Sequence, residues 1–358
     1  MNDSGRQKKF QQELERQELD GFLVTHPANL RYLCGYTGSN GLLLFLGGRR
    51  TFFTDGRYTA QARAEVAGAR VVIAKGPLLN DAVGMINRLR SAAIGFEADH
   101  TTVDAAAPMG TMVHRRIRWR PTAGLIQRLR MVKDAAEIQL IRKAVNLGAE
   151  VYRQALAVLR PGVKESEVAG VLEFAARRAG ADGMSFDTIV AGGKRSALPH
   201  GRASNQVLPR RGFVVLDSGV IRQGYCSDMT RTVHLGATRR WEREWYKSVL
   251  EAQLAAISTA LPGILAGEVD QAARKVLKKA KLDRFFTHST GHGVGLEIHE
   301  PSRLGKGQME RLEPGMVITV EPGIYVPGKG GIRIEDMLLI TETGYEVLTP
   351  VGKEVVEI

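Results

Sequence analysis

The residues most able to do chemistry in this sequence are four carboxylates and one histidine. Asp217 and Glu321 each end an apolar run that is typical of a buried strand. Asp228 and Glu335 lie on further predicted strands, whose side chains alternate between two faces. Carboxylates that converge in a protein interior repel one another and need cations to remain ionised together. Divalent metal ions would meet that need, and His292, in a glycine-rich turn, would add a nitrogen ligand.

The hypothesis of a metal site depends on the set, because each residue alone has an ordinary explanation. A single acid near a strand end commonly forms a turn or an ion pair, and a lone histidine in a turn is commonly structural. The two cysteines, Cys34 and Cys226, form no CxxC pair, which excludes a disulfide framework and a cysteine-rich zinc site. A carboxylate-rich set with one histidine favours Mn²⁺, and also suits Co²⁺, Zn²⁺ or Fe²⁺.

The elements that would position these residues occur twice. A Pro-Gly pair at 161–162 precedes a predicted helix, and a second pair at 262–263 precedes another, 101 residues later. An apolar strand that carries an acid follows each helix, at 213–217 and at 316–321. Such a repeat predicts two halves of one sheet that share a cleft.

The first third of the chain predicts a separate α/β domain, because strand and helix patterns alternate there. Asp134, with Glu137 three residues later, resembles a capping box and predicts the start of a long amphipathic helix. We therefore place a domain boundary before this helix, with one domain over residues 1–127 and the other over 128–358. The predicted strands are 21–25, 41–46, 51–54, 71–74 and 92–98, and the predicted helices are 10–17, 58–66 and 78–89.

The net charge of +12 raises the question of a nucleic-acid partner. Residues 1–130 hold 19 Lys and Arg against 11 Asp and Glu, a net charge of +8, with a local arginine run at 115–120. Aromatic residues are only 6% of the chain and do not form a base-stacking surface with that run, so we expect a solvated face and no nucleic acid. The polar N-terminus has no signal-peptide core, and the apolar run 41–46 is too short to span a bilayer. We expect a cytoplasmic protein with no membrane partner.

Seven sequence stretches carry a resemblance to the creatinase/aminopeptidase P/prolidase family of metallopeptidases, the M24-type enzymes with a pita-bread fold. The resemblance implies an α/β creatinase-like N-terminal domain and an α+β pita-bread catalytic domain with an internal pseudo-two-fold repeat. The stretches are NLRYLCGYTGSNG (29–41), FFTDGRYTAQA (52–62), ALPHG (197–201), LDSGVIRQGYCSDMTRT (216–232), THSTGHGVGLEIHEP (287–301), ITVEPGIY (318–325) and GIRIEDM (331–337).

The resemblance also implies roles for individual residues. Asp228 and Glu335 match carboxylates that bridge two metal ions. Asp217 matches a further ligand of one ion, and His292 and Glu321 match further ligands of the other. Four more residues match substrate-side or supporting positions; they are His200, His288, His299 and Arg333.

The activity implied is hydrolysis of an N-terminal Xaa-Pro bond by a hydroxide that bridges two metal ions, about 3.5–4 Å apart. His299 or His200 would stabilise the oxyanion, and Glu321 would pass a proton to the leaving nitrogen. The resemblance favours an Xaa-Pro aminopeptidase acting on peptides, because the N-terminal stretches TGSNG (37–41) and DGRYTAQA (55–62) are more similar to aminopeptidase P than to the prolidases. It also implies a homodimer. An Xaa-Pro dipeptidase (prolidase) is the alternative, and a methionine aminopeptidase ranks third. A non-catalytic binding protein on a peptidase-like fold is the alternative from a different class.

Overall fold

The structure, a computed structural model, describes residues 3–358 and divides into two units between Arg130 and Met131. The boundary that we predict from the sequence, between residues 127 and 128, lies in the helix Leu125–Met131 that contains this division.

The first unit is built on a six-stranded mixed sheet. Its strands are β1 (Gly21–Val24), β2 (Leu42–Leu46), β3 (Arg49–Asp55), β4 (Arg70–Ala74), β5 (Ala92–Glu97) and β6 (Ile117–Thr122). They lie in the order β4-β3-β2-β1-β5-β6, with β2 antiparallel to both neighbours and the other pairs parallel. The helices are α1 (Asp3–Arg16), α2 (Pro27–Cys34), α3 (Thr59–Glu65), α4 (Leu78–Ile86), α5 (Val103–Ala106), α6 (Met109–Met112) and α7 (Leu125–Met131).

The five predicted strands and three predicted helices of this unit are confirmed, with bounds that shift by a few residues at most ends. Helix α1 begins seven residues earlier than predicted, at Asp3. The sequence analysis did not predict strand β6, which overlaps the arginine run at 115–120. Ile117 and Trp119 face the apolar core, whereas Arg118 and Arg120 are exposed. The alternation of a half-buried edge strand therefore explains part of that run.

The second unit combines four long helices with thirteen short strands. The helices are α8 (Ala135–Val158), α9 (Glu165–Arg178), α10 (Arg240–Thr259) and α11 (Ala266–Lys279). The strands are β7 (Gly183–Met184), β8 (Ile189–Gly192), β9 (Gly212–Ser218), β10 (Val220–Arg222), β11 (Tyr225–Cys226), β12 (Met229–Leu235), β13 (Gly291–Gly293), β14 (Glu300–Leu304), β15 (Val317–Val320), β16 (Gly323–Val326), β17 (Gly330–Arg333), β18 (Asp336–Ile340) and β19 (Tyr345–Val347).

The predicted capping box starts α8. The side chain of Asp134 accepts a hydrogen bond from the backbone N–H of Glu137 at 2.9 Å, and Glu137 accepts one from the N–H of Asp134 at 3.0 Å. These two bonds satisfy donors that a helix N-terminus leaves without partners.

The internal repeat is visible in the helices and in the sheets on which they pack. The bounds of α9 and α11 differ by 101 residues at both ends. Apolar residues of α8 and α9 form one core with β9 and β12, and those of α10 and α11 form another with β15 and β18. The strand that carries Asp217 belongs to the sheet β12-β9-β8, and the strand that precedes Glu321 belongs to a second sheet, β14-β13-β15-β18-β19. The prediction that the two halves share one sheet is therefore wrong.

The helices also bear on the question of a membrane. Across residues 3–358, none of them combines the length and the apolar content that crossing a bilayer would require.

Candidate metal centre

Strands β9 and β13 and the ends of β12, β15, β17 and β18 bring the predicted metal ligands to one cavity. Asp217 lies in β9, and His292 is the central residue of β13. Asp228 directly precedes β12, Glu321 directly follows β15, and Glu335 lies between β17 and β18. All five side chains line a cavity of about 890 Å³ within the second unit.

The ligand atoms of three of these residues are close enough to share one ion. One atom each from Asp228, His292 and Glu335 lies within 4.8 Å of the other two. Nε2 of His292 is 3.6 Å from Oδ2 of Asp228 and 3.4 Å from Oε1 of Glu321. Asp217 is linked to the other ligands by Arg333, whose Nη2 lies 2.5 Å from Oδ2 of Asp217 and whose Nε lies 4.0 Å from Oε2 of Glu321.

Three carboxylate oxygens in this cavity are buried and have no hydrogen-bond partner: Oδ1 of Asp217, Oδ1 of Asp228 and Oε1 of Glu335. A buried polar atom without a partner is costly, and an ionised carboxylate is more so. Burial, and then the nearby Glu335, raises the pKa of Asp228 well above its usual value, and burial raises the pKa of Glu321 to about 8. Oxygen atoms in this state fit divalent cations, which would satisfy them and offset their repulsion.

His292 is oriented as a metal ligand should be. Its Nδ1 lies 3.0 Å from the carbonyl oxygen of Gly293, a contact in which the ring nitrogen must donate. This leaves the lone pair on Nε2, which faces Asp228 and Glu321. Burial lowers the pKa of His292 to about 4, so the ring is neutral at pH 7, as a ligand must be.

Arg333, at the end of β17, holds the carboxylates in place from one side. Besides Asp217, its guanidinium donates to Oγ1 of Thr230 at 3.0 Å and to the hydroxyl of Tyr325 at 2.6 Å. Thr230 in turn donates to Oε2 of Glu335 at 2.7 Å. The alternation of side chains along the chain turns Thr230 to the same face as Asp228 and places its hydroxyl where it orients Glu335.

Tyr325 is a residue of this site to which the sequence analysis gave no role, although it ends the stretch 318–325. Its hydroxyl lies 2.9 Å from Nε2 of His288, and Nδ1 of His288 lies 2.8 Å from the carbonyl oxygen of Ser289. Both ring nitrogens of His288 therefore have partners within the protein. Burial lowers the pKa of His288 to about 3, and the neutral ring accepts the hydrogen bond of Tyr325 at Nε2.

The other two predicted histidines lie on the wall of the cavity. The ring of His299 packs edge-on against that of His292, with centroids 4.5 Å apart, and His200 is exposed. Cys226, two residues before Asp228, instead packs in an apolar cluster with Val294 and Met337 and does not line the cavity.

Comparison with known proteins gives two family matches that together span nearly the whole chain. The family model of metallopeptidase family M24 matches residues 139–342. The model of the creatinase/prolidase N-terminal domain matches residues 6–132.

Individual relatives match over the full length. An uncharacterized peptidase of Bacillus subtilis is 39% identical over 94% of this chain and 96% of its own. The solved structure of an Xaa-Pro dipeptidase from Bacillus anthracis has a TM-score of 0.96 at 38% identity and covers 100% of both chains. That of an X-Pro aminopeptidase from Thermotoga maritima has a TM-score of 0.89 at 34% identity, over 96% of this chain and 99% of its own.

Proposed function

Because this chain belongs to metallopeptidase family M24, we propose that it hydrolyses the bond between the first residue of a peptide and a following proline. The observation that carries the proposal is the convergence of three partnerless carboxylate oxygens and Nε2 of His292 in one cavity. A non-catalytic binding protein would have no physical need for this arrangement. Solved structures with the same fold are named as an Xaa-Pro dipeptidase and an X-Pro aminopeptidase.

We assign two divalent metal ions to the five converging side chains. Asp228 and Glu335, each with a buried oxygen that has no hydrogen-bond partner, would be shared by the two ions, Asp217 would help to hold one, and His292 and Glu321 would help to hold the other. When bound, such a pair of ions makes water a nucleophile at neutral pH and polarises the scissile carbonyl. The oxygen-rich set with one imidazole favours Mn²⁺, with Co²⁺, Zn²⁺ and Fe²⁺ as alternatives.

The remaining steps belong to the protein's own side chains. His299 or His200, on the wall of the cavity, would donate a hydrogen bond to the oxyanion of the tetrahedral intermediate. A carboxyl oxygen of Glu321 would carry the proton to the leaving nitrogen of proline. Arg333 would hold the carboxylate of Asp217 in position, and Tyr325 would hold the ring of His288. Neither Arg333 nor the Tyr325–His288 pair would contact the reacting bond.

The preference for proline has a physical basis in its peptide bond. A bond to proline is a tertiary amide without an N–H, so a peptidase that grips this N–H fails on it. Phe186, Ile189 and Ile298 give the cavity apolar lining against which a pyrrolidine ring could pack.

A dipeptidase is the second candidate, and Arg303 favours it. This arginine lines the same cavity, and its Nε lies 3.2 Å from Oγ of Ser289. In a dipeptide the carboxylate lies directly on the proline, within reach of a cation in the cavity, whereas in a longer peptide it lies further away.

Hydrolysis by metal-stripped protein resupplied with Mn²⁺, Co²⁺ or Zn²⁺ tests both candidates. The substrates are Ala-Pro, Ala-Pro-Ala, Ala-Ala-Ala and Met-Ala-Ala, followed by chromatography of the products. Cleavage of Ala-Pro-Ala supports the aminopeptidase. Cleavage of Ala-Pro alone, lost when Arg303 is changed to Met, supports the dipeptidase, and cleavage of none of the four contradicts both.

We also propose that the active form is a homodimer located in the cytoplasm. Size-exclusion chromatography with light scattering tests the first point, and the mass of one chain in solution would contradict it. Cell fractionation tests the second.

A further inference from the structure

We propose that Arg231 positions the ligand Glu335 from the side of the sheet opposite to the metal centre, and that residues 351–353 complete this support. Arg231 lies in β12 between Thr230 and Thr232, so its side chain points away from the cavity. It is 2% exposed and does not line the cavity. The proposal rests on the metal centre of the proposed function, although not on its substrate.

Every donor of the Arg231 guanidinium has an acceptor. Nε donates to the carbonyl oxygen of Gly352 at 2.8 Å, and Nη2 donates to that of Val351 at 2.8 Å and to Oδ1 of Asp336 at 2.7 Å. Nη1 donates to the carbonyl oxygens of Thr230, at 2.9 Å, and Glu335. A guanidinium has five N–H donors, so five acceptors use it fully, and an ammonium group with three donors could not replace it.

Two of these bonds fix the backbone on either side of the ligand. The N–H of Glu335 donates to the carbonyl oxygen of Thr230 at 3.1 Å, and Nη1 of Arg231 bridges that oxygen and the carbonyl oxygen of Glu335. The same two residues are joined on the cavity side by the bond from Oγ1 of Thr230 to Oε2 of Glu335. The orientation of the Glu335 carboxylate therefore depends on backbone positions that Arg231 holds from behind.

The guanidinium of Arg231 pairs with a buried carboxylate that has further partners in the same network. Asp336, which follows Glu335, is fully buried, and its Oδ2 accepts from Nε2 of Gln253 at 2.8 Å and lies 2.5 Å from Nζ of Lys353. Lys353 also donates to Oε1 of Gln253 at 3.0 Å. A network in which each member has a partner fixes one arrangement, whereas loss of one member leaves buried hydrogen-bonding groups without a partner and frees the others to shift. The segment 351–353 is thereby tied to a metal ligand although none of its residues lines the cavity.

Metal affinity and the absorption spectrum of bound Co²⁺ test this role separately from activity. The variants are Arg231→Met and Arg231→Lys, and the matched control is Arg142→Met, which removes a partly exposed arginine that pairs with Glu346 away from the cavity. Metal-free protein is checked for folding by far-UV circular dichroism and is then titrated with CoCl₂ by calorimetry and visible spectroscopy. We expect Co²⁺ to bind at least about tenfold more weakly to Arg231→Met and its visible absorption band to change. Loss of a group that orients a metal ligand commonly weakens metal binding by this amount. Arg231→Lys should be intermediate and Arg142→Met unchanged.

A milder variant keeps the test decisive if Arg231→Met does not fold. Lys353→Met removes one of the two cations that pair with Asp336 and leaves Arg231 in place. We expect it to weaken Co²⁺ binding and change the visible band in the same direction as Arg231→Lys. Wild-type affinity and spectrum in the folded Arg231 variants and in Lys353→Met would overturn the proposal. Wild-type protein that binds no Co²⁺ would overturn both the proposal and the metal centre. Wild-type protein that binds Co²⁺ but cleaves no Xaa-Pro peptide would overturn the proposed function alone.

Discussion

The hydroxyl oxygen of Tyr325 lies 2.9 Å from Nε2 of His288, and the same oxygen accepts a hydrogen bond from Arg333. Because Nδ1 of His288 is engaged by a carbonyl, the hydroxyl is the partner of the second ring nitrogen. We predict that Tyr325→Phe lowers kcat for Ala-Pro-Ala about tenfold, since Nε2 of His288 loses its partner and Arg333 loses one of its acceptors. Steady-state kinetics checks this, with Tyr345→Phe at a partly exposed site as the control. Unchanged kcat in Tyr325→Phe would contradict a positioning role for this pair.

The carboxylate of Asp228 should have opposite effects on stability without and with metal. Its pKa is raised by burial and by nearby carboxylates, so Asp228→Asn removes a costly charge from the metal-free protein. We predict that the metal-free variant melts at the same temperature as metal-free wild type or higher, and that Mn²⁺ raises Tm in wild type but much less in the variant. Differential scanning fluorimetry with EDTA and with added Mn²⁺ measures both effects. A variant that gains as much from Mn²⁺ as wild type would show that Asp228 is not a ligand.

Loss of one partner of the buried ion pair between Lys133 and Glu300 should strongly destabilise the second unit. Nζ of Lys133 lies 3.2 Å from Oε2 of Glu300, and both side chains are at most 2% exposed. We predict that Lys133→Met lowers the free energy of unfolding by about 3–5 kcal/mol, because it removes one partner of a buried ion pair. Urea denaturation measures the change.

A second variant separates the loss of the pair from a loss of packing at Lys133. Adding Glu300→Gln to Lys133→Met removes the stranded charge and should restore part of the stability. The control is Arg240→Met, which breaks a largely exposed pair with Glu244 and should have no measurable effect. Equal stability of the single and double variants would argue against an uncompensated charge as the cause.

The contact between Arg142 and Glu346 predicts a pH dependence. Nη2 of Arg142 lies 2.6 Å from Oε2 of Glu346, and this hydrogen bond lowers the pKa of the carboxyl below its usual value. A carboxyl whose pKa is lower in the folded state stabilises the fold above its unfolded pKa of about 4.3 and loses that contribution as pH falls through the folded value.

We therefore predict that Glu346→Gln is less stable than wild type at pH 7 and that the difference shrinks below pH of about 4. The difference should be no more than about 0.5 kcal/mol, because both side chains are partly exposed and solvent screens the pair. Urea denaturation at a series of pH values measures it. A difference that grows as the pH falls would have the wrong sign.

The sequence predicts the large features of this fold because its signals are local. The capping box at Asp134 and Glu137 starts a helix through contacts three residues apart, and the Pro-Gly pairs mark helices whose bounds repeat at 101 residues. Strand β6 was harder to predict, since its exposed arginines obscure the alternation with Ile117 and Trp119.

The residues that support the candidate site could not be predicted in the same way, because their partners are distant in the chain. Tyr325 meets His288 across 37 residues, and Arg231 meets Asp336 across 105. Alternation along a strand says which face a side chain takes, but it does not say what packs on that face. The roles of the five metal ligands themselves came from the family resemblance, and they stay a prediction until metal binding is measured.

We propose that metal held by the five side chains of the candidate centre enables cleavage before proline. A stoichiometric titration tests this most directly. Metal-stripped protein is titrated with Mn²⁺ while bound metal and release of alanine from Ala-Pro-Ala and from Ala-Pro are measured together. We predict no release without metal and a rate that rises with occupancy to a plateau near two ions per chain. Full activity in the stripped protein, or no cleavage of either peptide at saturation, would contradict this proposal.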